Sequence, residues 1–318
     1  MQYILITISL FILELVYFKI ADKFNIIDKP NERSSHTQVT LRGGGIIFYF
    51  GAIAFFVASG FQYPYFFLGL TLITLISFLD DIFTLSNKIR IFIQFASMFL
   101  MFYQAHILDF PWWLIVVALV LCTGIINAYN FMDGINGITV SNSIAVLILL
   151  AIANLNVGFV SPEIIYYSII ACIVFGFFNF RQKAKCFAGD VGAVSIAFII
   201  LFLLSLLIIK TDNFIYILFL LVYGVDSILT IVRRLLKKEN IFEAHRSHLY
   251  QILVNENKSN KLWIAFIYGF LQLLLGGIVL YSTQFSTETQ IFISILMLLI
   301  CGIGYLILKN KLIRKYHI

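Results

Sequence analysis

The sequence predicts an all-α, polytopic integral membrane protein forming one transmembrane domain over residues 1–318, and three observations carry that expectation. Hydrophobic residues make up 61% of the chain and charged ones 12%, with a mean hydropathy of +0.97, which excludes a soluble globule of ordinary composition. Apolar runs of about 20 residues, the length a helix needs to cross a bilayer, recur along the chain. Basic residues collect in alternate connections between those runs. Lipid offers the backbone no hydrogen-bonding partner, so the spans are expected as helices rather than lone strands.

Eleven spans are predicted, at roughly 2–21, 43–60, 63–80, 90–105, 110–127, 137–154, 163–181, 191–209, 213–232, 262–282 and 289–308. The fourth is the weakest, because Gln94 and Gln104 interrupt it. Eleven alternating spans put 21 of the 22 Lys and Arg on one side and leave only Lys210 opposite. Basic loops stay cytoplasmic, so the N-terminus is expected outside and the C-terminus in the cytoplasm. The first run is expected to be retained: it has no basic leader, carries Glu14 and lacks a small-residue cleavage site. Three cysteines fall in spans and Cys186 on the basic side, so no disulfide framework is expected. A net charge of +6 fits this topology and an anionic partner, not nucleic acid.

The polar residues lie on the basic side, and each connection there is chemically distinctive. In the first, Arg33, His36 and Arg42 could cradle a phosphate, and Gly43 to Gly45 allow close packing or close approach of a ligand. The third span ends in Asp80-Asp81. Adjacent carboxylates at a membrane boundary repel and lose solvation, and a helix C-terminus is the wrong end for them. A divalent cation, a proton-transfer role or both would account for the pair. The stretch Asn127–Gly137 closes the fifth span, with Asn127, Asn130 and Asp133 three apart on one helical face and Gly134 and Gly137 beyond. Two amides, a carboxylate and two glycines together point to a site rather than a plain turn.

Asp190 stands between Gly189 and Val191-Gly192 at the start of the eighth span, where capping and a ligand role both remain open. Asp226 lies inside the ninth span, a functional candidate by position. The last large connection carries His245, Arg246 and His248; two histidines make half a zinc site with no third ligand at suitable spacing, so a hydrogen-bonding cluster for a diphosphate is the better reading. Carboxylates beside basic groups at one membrane face suit Mg²⁺ and phosphates. An acceptor with a buried tail and a water-soluble phosphorylated donor can meet at such an interface.

The motifs PNERSSH, RGGG, FLDDIFTLSNKIRIFIQ, NAYNFMDGINGI, FAGDVG and ENIFEAHRSHLYQ, in this order and spacing, resemble the polyprenyl-phosphate N-acetylhexosamine-1-phosphate transferase superfamily (glycosyltransferase family 4). The form AHRSHLYQ is closer to its O-antigen and capsule initiators than to its peptidoglycan branch. The resemblance implies that Asp80 and Asp81 are catalytic, together with Asp133, and that Asp190 with Asp80 holds Mg²⁺, for which Mn²⁺ could substitute. It implies that Asn130 and Asp133 line the nucleotide cleft, that Phe187 stacks on uracil, and that His245, Arg246 and His248 touch substrate. Arg33, His36, Arg42, Asn127 and Asn179 complete the expected substrate-binding set. Two positions depart from the family pattern: Leu41 replaces a proline before Arg42, and Arg181-Gln182-Lys183 replaces a proline-containing turn.

The implied protein is a multi-pass enzyme of the bacterial inner membrane with its active site on the cytoplasmic face. It would move a sugar 1-phosphate from a UDP-N-acetylhexosamine to undecaprenyl phosphate, release UMP and start a cell-surface glycan such as the O-antigen of lipopolysaccharide. Single displacement is the expected route, with an aspartyl-phosphate as the alternative. The rival readings are a membrane transporter and the phospho-MurNAc-pentapeptide transferase of peptidoglycan synthesis; a homodimer is left open. A CDP-alcohol phosphotransferase would need DGxxAR where this chain has Asp133-Gly134-Ile135-Asn136-Gly137-Ile138.

Overall fold

A computed structural model describes residues 1–30, 38–83, 85–240 and 246–317. Among them the chain is nearly all helix: α1 (Gln2–Lys23), α2 (Ile47–Ala58), α3 (Pro64–Phe83), α4 (Asn87–Gln104), α5 (Trp112–Met132), α6 (Ile138–Val157), α7 (Pro162–Asn179), α8 (Gly189–Thr211), α9 (Leu221–Leu236), α10 (Leu249–Asn255), α11 (Lys261–Ser282) and α12 (Thr287–Tyr316). A tighter helical segment, Phe214–Leu220, leads into α9. One small antiparallel pair, β1 (Ile27–Asp28) with β2 (Thr40–Leu41), departs from the all-α expectation.

Among the described residues nine helices are long and apolar enough to cross a membrane, against the eleven expected. The two others are helical but differ in kind. The second expected span is apolar but short, Gly44–Ala58. The fourth, α4, is long enough, but Lys88, Arg90, Gln94 and Gln104 dilute its apolar character.

Helix α8 is the axis of the bundle. It is apolar on every face and fifteen of its 23 residues are buried, as a helix surrounded by other helices must be. Phe66 of α3 stacks on Phe198 and Phe202 of α8 with ring centroids 5.7 and 4.0 Å apart, and Thr74 and Ser195 share a 2.8 Å hydrogen bond between the same helices. On another side the backbone at Gly45 meets Gly192 so closely that neither has room for a side chain. The outer helices α1 and α12 turn Leu, Ile and Phe outward, as surfaces facing lipid do. The C-terminal end of α3, that of α5 and the N-terminal end of α8 meet at one end of the bundle, together with the 38–46 loop.

Candidate active site

The site is built around the start of α8. Its first N–H groups have no partner within the helix, and Asp81 supplies one: the carboxylate accepts from the N–H of Asp190 at 3.0 Å and of Val191 at 3.1 Å. This resolves the oddity of a carboxylate at a helix C-terminus. Asp81 is at the wrong end of α3 but at the favourable, positive end of α8. Gly189 has φ +70°, and an added Cβ would stand 2.5 Å from the Asp81 carboxylate, so glycine is required on both counts.

Two arginines tie the carboxylates into one cluster. Arg42 places Nε 2.7 Å from Asp81 and Nη2 3.2 Å from Asp190. Arg90 places Nη1 2.7 Å from Asp80 and Nη2 3.3 Å from Asp190. Asp80 also accepts from the N–H of Leu85 at 2.7 Å. The Asp81 side chain is fully buried, that of Asp80 is 9% exposed and that of Asp190 17%, so the neighbouring aspartates differ in access. Asp81 is closed off from solvent as a scaffold; Asp80 and Asp190 keep part of their surface accessible.

Arg42 is held by its loop. The Gly44 N–H donates to the Phe187 carbonyl (2.9 Å), that of Gly45 to Ala188 (3.1 Å), and that of Phe187 to Leu41 (2.8 Å), so RGGG and FAGD run side by side. Beneath them Tyr17 of α1 donates to the Arg42 carbonyl at 2.6 Å, and the buried Glu14 accepts from the Cys186 thiol. The opposing charges of Asp81 and Asp190 raise the Arg42 guanidinium against a desolvation that pulls it down, so it stays charged.

Asp133 caps the end of α5 and accepts from the Thr139 hydroxyl at 2.6 Å. Burial pushes its carboxyl up to about 6; Asp190 pushes the same way, while Thr139 and Arg42 oppose. It thus stands within electrostatic reach of the arginine cluster. Asn179, expected to bind substrate, has its amide engaged inside the protein: it accepts from the Gly137 N–H (2.7 Å) and donates to the Cys186 carbonyl (2.9 Å). It clasps the Asp133 corner to the FAGD loop. Gly137 carries φ +85°, which that corner needs.

The remaining expected residues divide. Asn127 donates to Thr123 of its own helix at 2.9 Å, and Asn130 is half-buried one turn nearer Asp133. Phe187 is half-buried on the clasped loop. Arg246 is exposed, 3.9 Å from Glu256. His248 is buried, with Nδ1 3.2 Å from Asp226. Arg33, His36 and His245 lie outside the described residues.

Arg90 is the residue that sequence reasoning missed, having counted it only among the basic residues. A signal was present: a cation in the first turn of a helix is as misplaced as carboxylates in the last. The two anomalies answer each other across α3 and α4.

Among the described residues no group of three or more His, Cys, Asp and Glu is arranged to hold a metal by itself. Mg²⁺ asks for less, one or two carboxylates plus phosphate oxygens and waters. Asp80 and Asp190 fit that demand, because one Arg90 guanidinium already bridges them. Four aspartates against two arginines also leave a formal charge of minus two, which a divalent cation would neutralise.

Residues 63–209 match the model of glycosyl transferase family 4. The chain is 26% identical over 319 residues to the probable undecaprenyl-phosphate N-acetylglucosaminyl 1-phosphate transferase of Bacillus subtilis (strain 168), covering 94% of this chain and 87% of that protein. It is 26% identical over 324 residues to the undecaprenyl-phosphate alpha-N-acetylglucosaminyl 1-phosphate transferase of Yersinia pestis, covering 94% and 88%. The protein of the same name from Escherichia coli (strain K12) is 26% identical over 315 residues, covering 91% and 84%.

Two measurements test this geometry. Asp81→Ala leaves Arg42 and the first turn of α8 without their buried partner and should cost about 3 kcal/mol of stability; Asp80→Ala should cost clearly less, as thermal unfolding of the purified protein would show. Asp133 provides a pH test. A carboxyl held at about 6, above its ordinary 3.8, favours the folded state while protonated and loses that contribution as pH rises through 6. The Tm of Asp133→Asn relative to the unsubstituted protein should therefore climb between about pH 4 and 6, from the ordinary carboxyl value to the folded one, then level off. A pH-independent difference would contradict the assignment.

Proposed function

We propose that the chain is a polyprenyl-phosphate N-acetylhexosamine-1-phosphate transferase, a reading supported by its match to glycosyl transferase family 4 over residues 63–209 and by its relatives. It transfers an N-acetylhexosamine 1-phosphate from a UDP-sugar to undecaprenyl phosphate, giving the lipid-diphosphate sugar and UMP. The relatives' names favour N-acetylglucosamine as the sugar. The observation that carries the reading is the cluster in which Arg42 and Arg90 bridge Asp80, Asp81 and Asp190 where α3, α4 and α8 meet. Guanidiniums that fork between carboxylates can exchange them for phosphate oxygens of the same geometry. A transporter would need its charges along a path through the membrane, whereas these gather at one end.

An apolar cavity of about 300 Å³, lined by Phe110, Leu114, Leu121, Leu204 and Ile208, lies between the N-terminal part of α5 and the C-terminal part of α8, at the end of the bundle away from Asp133 and Asp190. Arg42 and Arg90 bind and orient the two phosphorylated substrates. An oxygen of the lipid phosphate attacks the phosphorus that bears the sugar, and the bond from that phosphorus to the oxygen of UMP breaks. Asp80, more accessible than Asp81, orients the lipid phosphate and accepts its proton when it carries one. Asp81 holds the start of α8, and with it Asp190, in place; its buried carboxylate favours single displacement over an aspartyl-phosphate on that residue. Asp190 and Asp80 would hold Mg²⁺, which when bound supplies charge neutralisation for the diphosphate. Asn130 and Asp133 line the nucleotide side with Phe187 against the uracil, and Arg246 and His248 serve from the far loop. The protein would lie in the bacterial inner membrane with eleven spans, N-terminus outside and the site facing the cytoplasm, where it would start a cell-surface glycan.

Purified protein is expected to release UMP from UDP-N-acetylglucosamine only when undecaprenyl phosphate is present. EDTA should abolish release and Mg²⁺ or Mn²⁺ restore it, and Arg90→Ala should lower kcat/KM by about 10². Absence of lipid-dependent UMP release across a panel of UDP-N-acetylhexosamines would refute the proposal; full activity after thorough chelation would refute its metal. For the orientation, a reporter fused after Ile318 should be cytoplasmic and one inserted near Asp212 external.

A further inference from the structure

A second polar cluster lies away from the arginines, inside the bundle. Asp226 of α9 is 1% exposed, yet its carboxylate is fully engaged. It accepts from the Leu249 N–H at 3.1 Å, the first residue of α10, and faces His248 Nδ1 at 3.2 Å. The Tyr268 hydroxyl donates to it at 2.8 Å. The hydroxyls of Thr230 and Tyr305 also reach it, at 3.2 and 3.0 Å. Both of those hydroxyls in turn accept from Lys309 of α12, at 2.7 and 2.6 Å, and Lys309 is itself 2% exposed. Lysine and aspartate are thus a buried ion pair relayed through two hydroxyls. Each charge would be costly without the other.

This pair has a direction. Tyr250, two residues beyond His248 and stacked on its ring, donates to the Phe131 carbonyl at 2.9 Å and packs on Gly134. The segment that Asp226 anchors is therefore seated on the Asp133 corner. Apolar packing follows the same line: Leu249 and Ile252 of α10 form a small cluster with Tyr305 and Leu312 of α12, separate from the main core. Helix α12 otherwise sits at the edge of the bundle, mostly exposed.

We propose that α12 is a working part of the site rather than a peripheral span: Lys309 and Tyr305 lock Asp226, and Asp226 fixes the His248–Tyr250 segment over the Asp133 corner. These are positioning residues, acting through His248 and Tyr250 and touching no substrate. The catalytic half of the proposal rests on the function proposed above; the structural half does not.

The full-length protein in detergent tests both. Backbone hydrogen exchange across residues 246–255 should accelerate at least ~10-fold in Lys309→Met, with the other helices unchanged. The kcat/KM for the UDP-sugar should fall roughly 10- to 100-fold, as loss of an outer-shell partner typically does. Lys309→Arg, which keeps the charge, should retain most of both, and Tyr305→Phe, which removes one hydroxyl and leaves the ring, should fall between. Exchange in 246–255 that stays at the unsubstituted rate would overturn the proposal. So would accelerated exchange spread evenly over all helices, the mark of general destabilisation, or accelerated local exchange with kcat/KM within twofold. If the unsubstituted protein makes no UMP, the function above is wrong, and the exchange measurement still decides whether α12 fixes the loop.

Discussion

The structure depends on the bond between the last turn of one helix and the first turn of another. Asp81 sits at the end of α3 and accepts from two N–H groups at the start of α8, while Arg42 covers its charge. That contact sets where α8 begins, and α8 is the helix around which the others pack. It also sets where Asp190 points, because Asp190 is the second residue of that helix. Placing a charged group at a helix terminus inside a bundle is affordable here only because dipole, hydrogen bonds and counter-charge coincide.

Around that contact the site is a charge balance in which cations and anions come from different connections. Arg42 is brought by a loop clamped to the FAGD segment, Arg90 by the first turn of α4, and the aspartates by α3 and α8. Asp133 joins from the end of α5 through Thr139, and Asn179 ties that corner to the FAGD loop. Because no connection contains a complete site, rigidity of the helix ends matters more than any one motif. The second cluster repeats the logic deeper in the bundle, with Lys309 and Asp226 on different helices and hydroxyls between them.

The sequence by itself determined the class of the protein, since composition and apolar run length leave helices in a membrane as the only way to satisfy the backbone. It also marked which span ends are polar, because carboxylates, amides and glycines there are costly, and the structure brings Asp80, Asp81, Asp133 and Asp190 from those ends to one end of the bundle. What it could not separate were neighbours with the same chemistry. Asp80 and Asp81 are adjacent and identical in type, and only packing buries one fully under α8 while leaving the other partly accessible. Nor can it show which amides are also structural: Asn179 has both ends of its amide engaged inside the protein. Arg90 and Lys309 looked like topology signals, because in sequence a lysine or arginine near a span end has only a side of the membrane. Tertiary structure gives each a partner, Asp190 some 100 positions away for Arg90 and the Asp226 cluster for Lys309. Electrostatic pairing acts across space and leaves no periodicity in the chain.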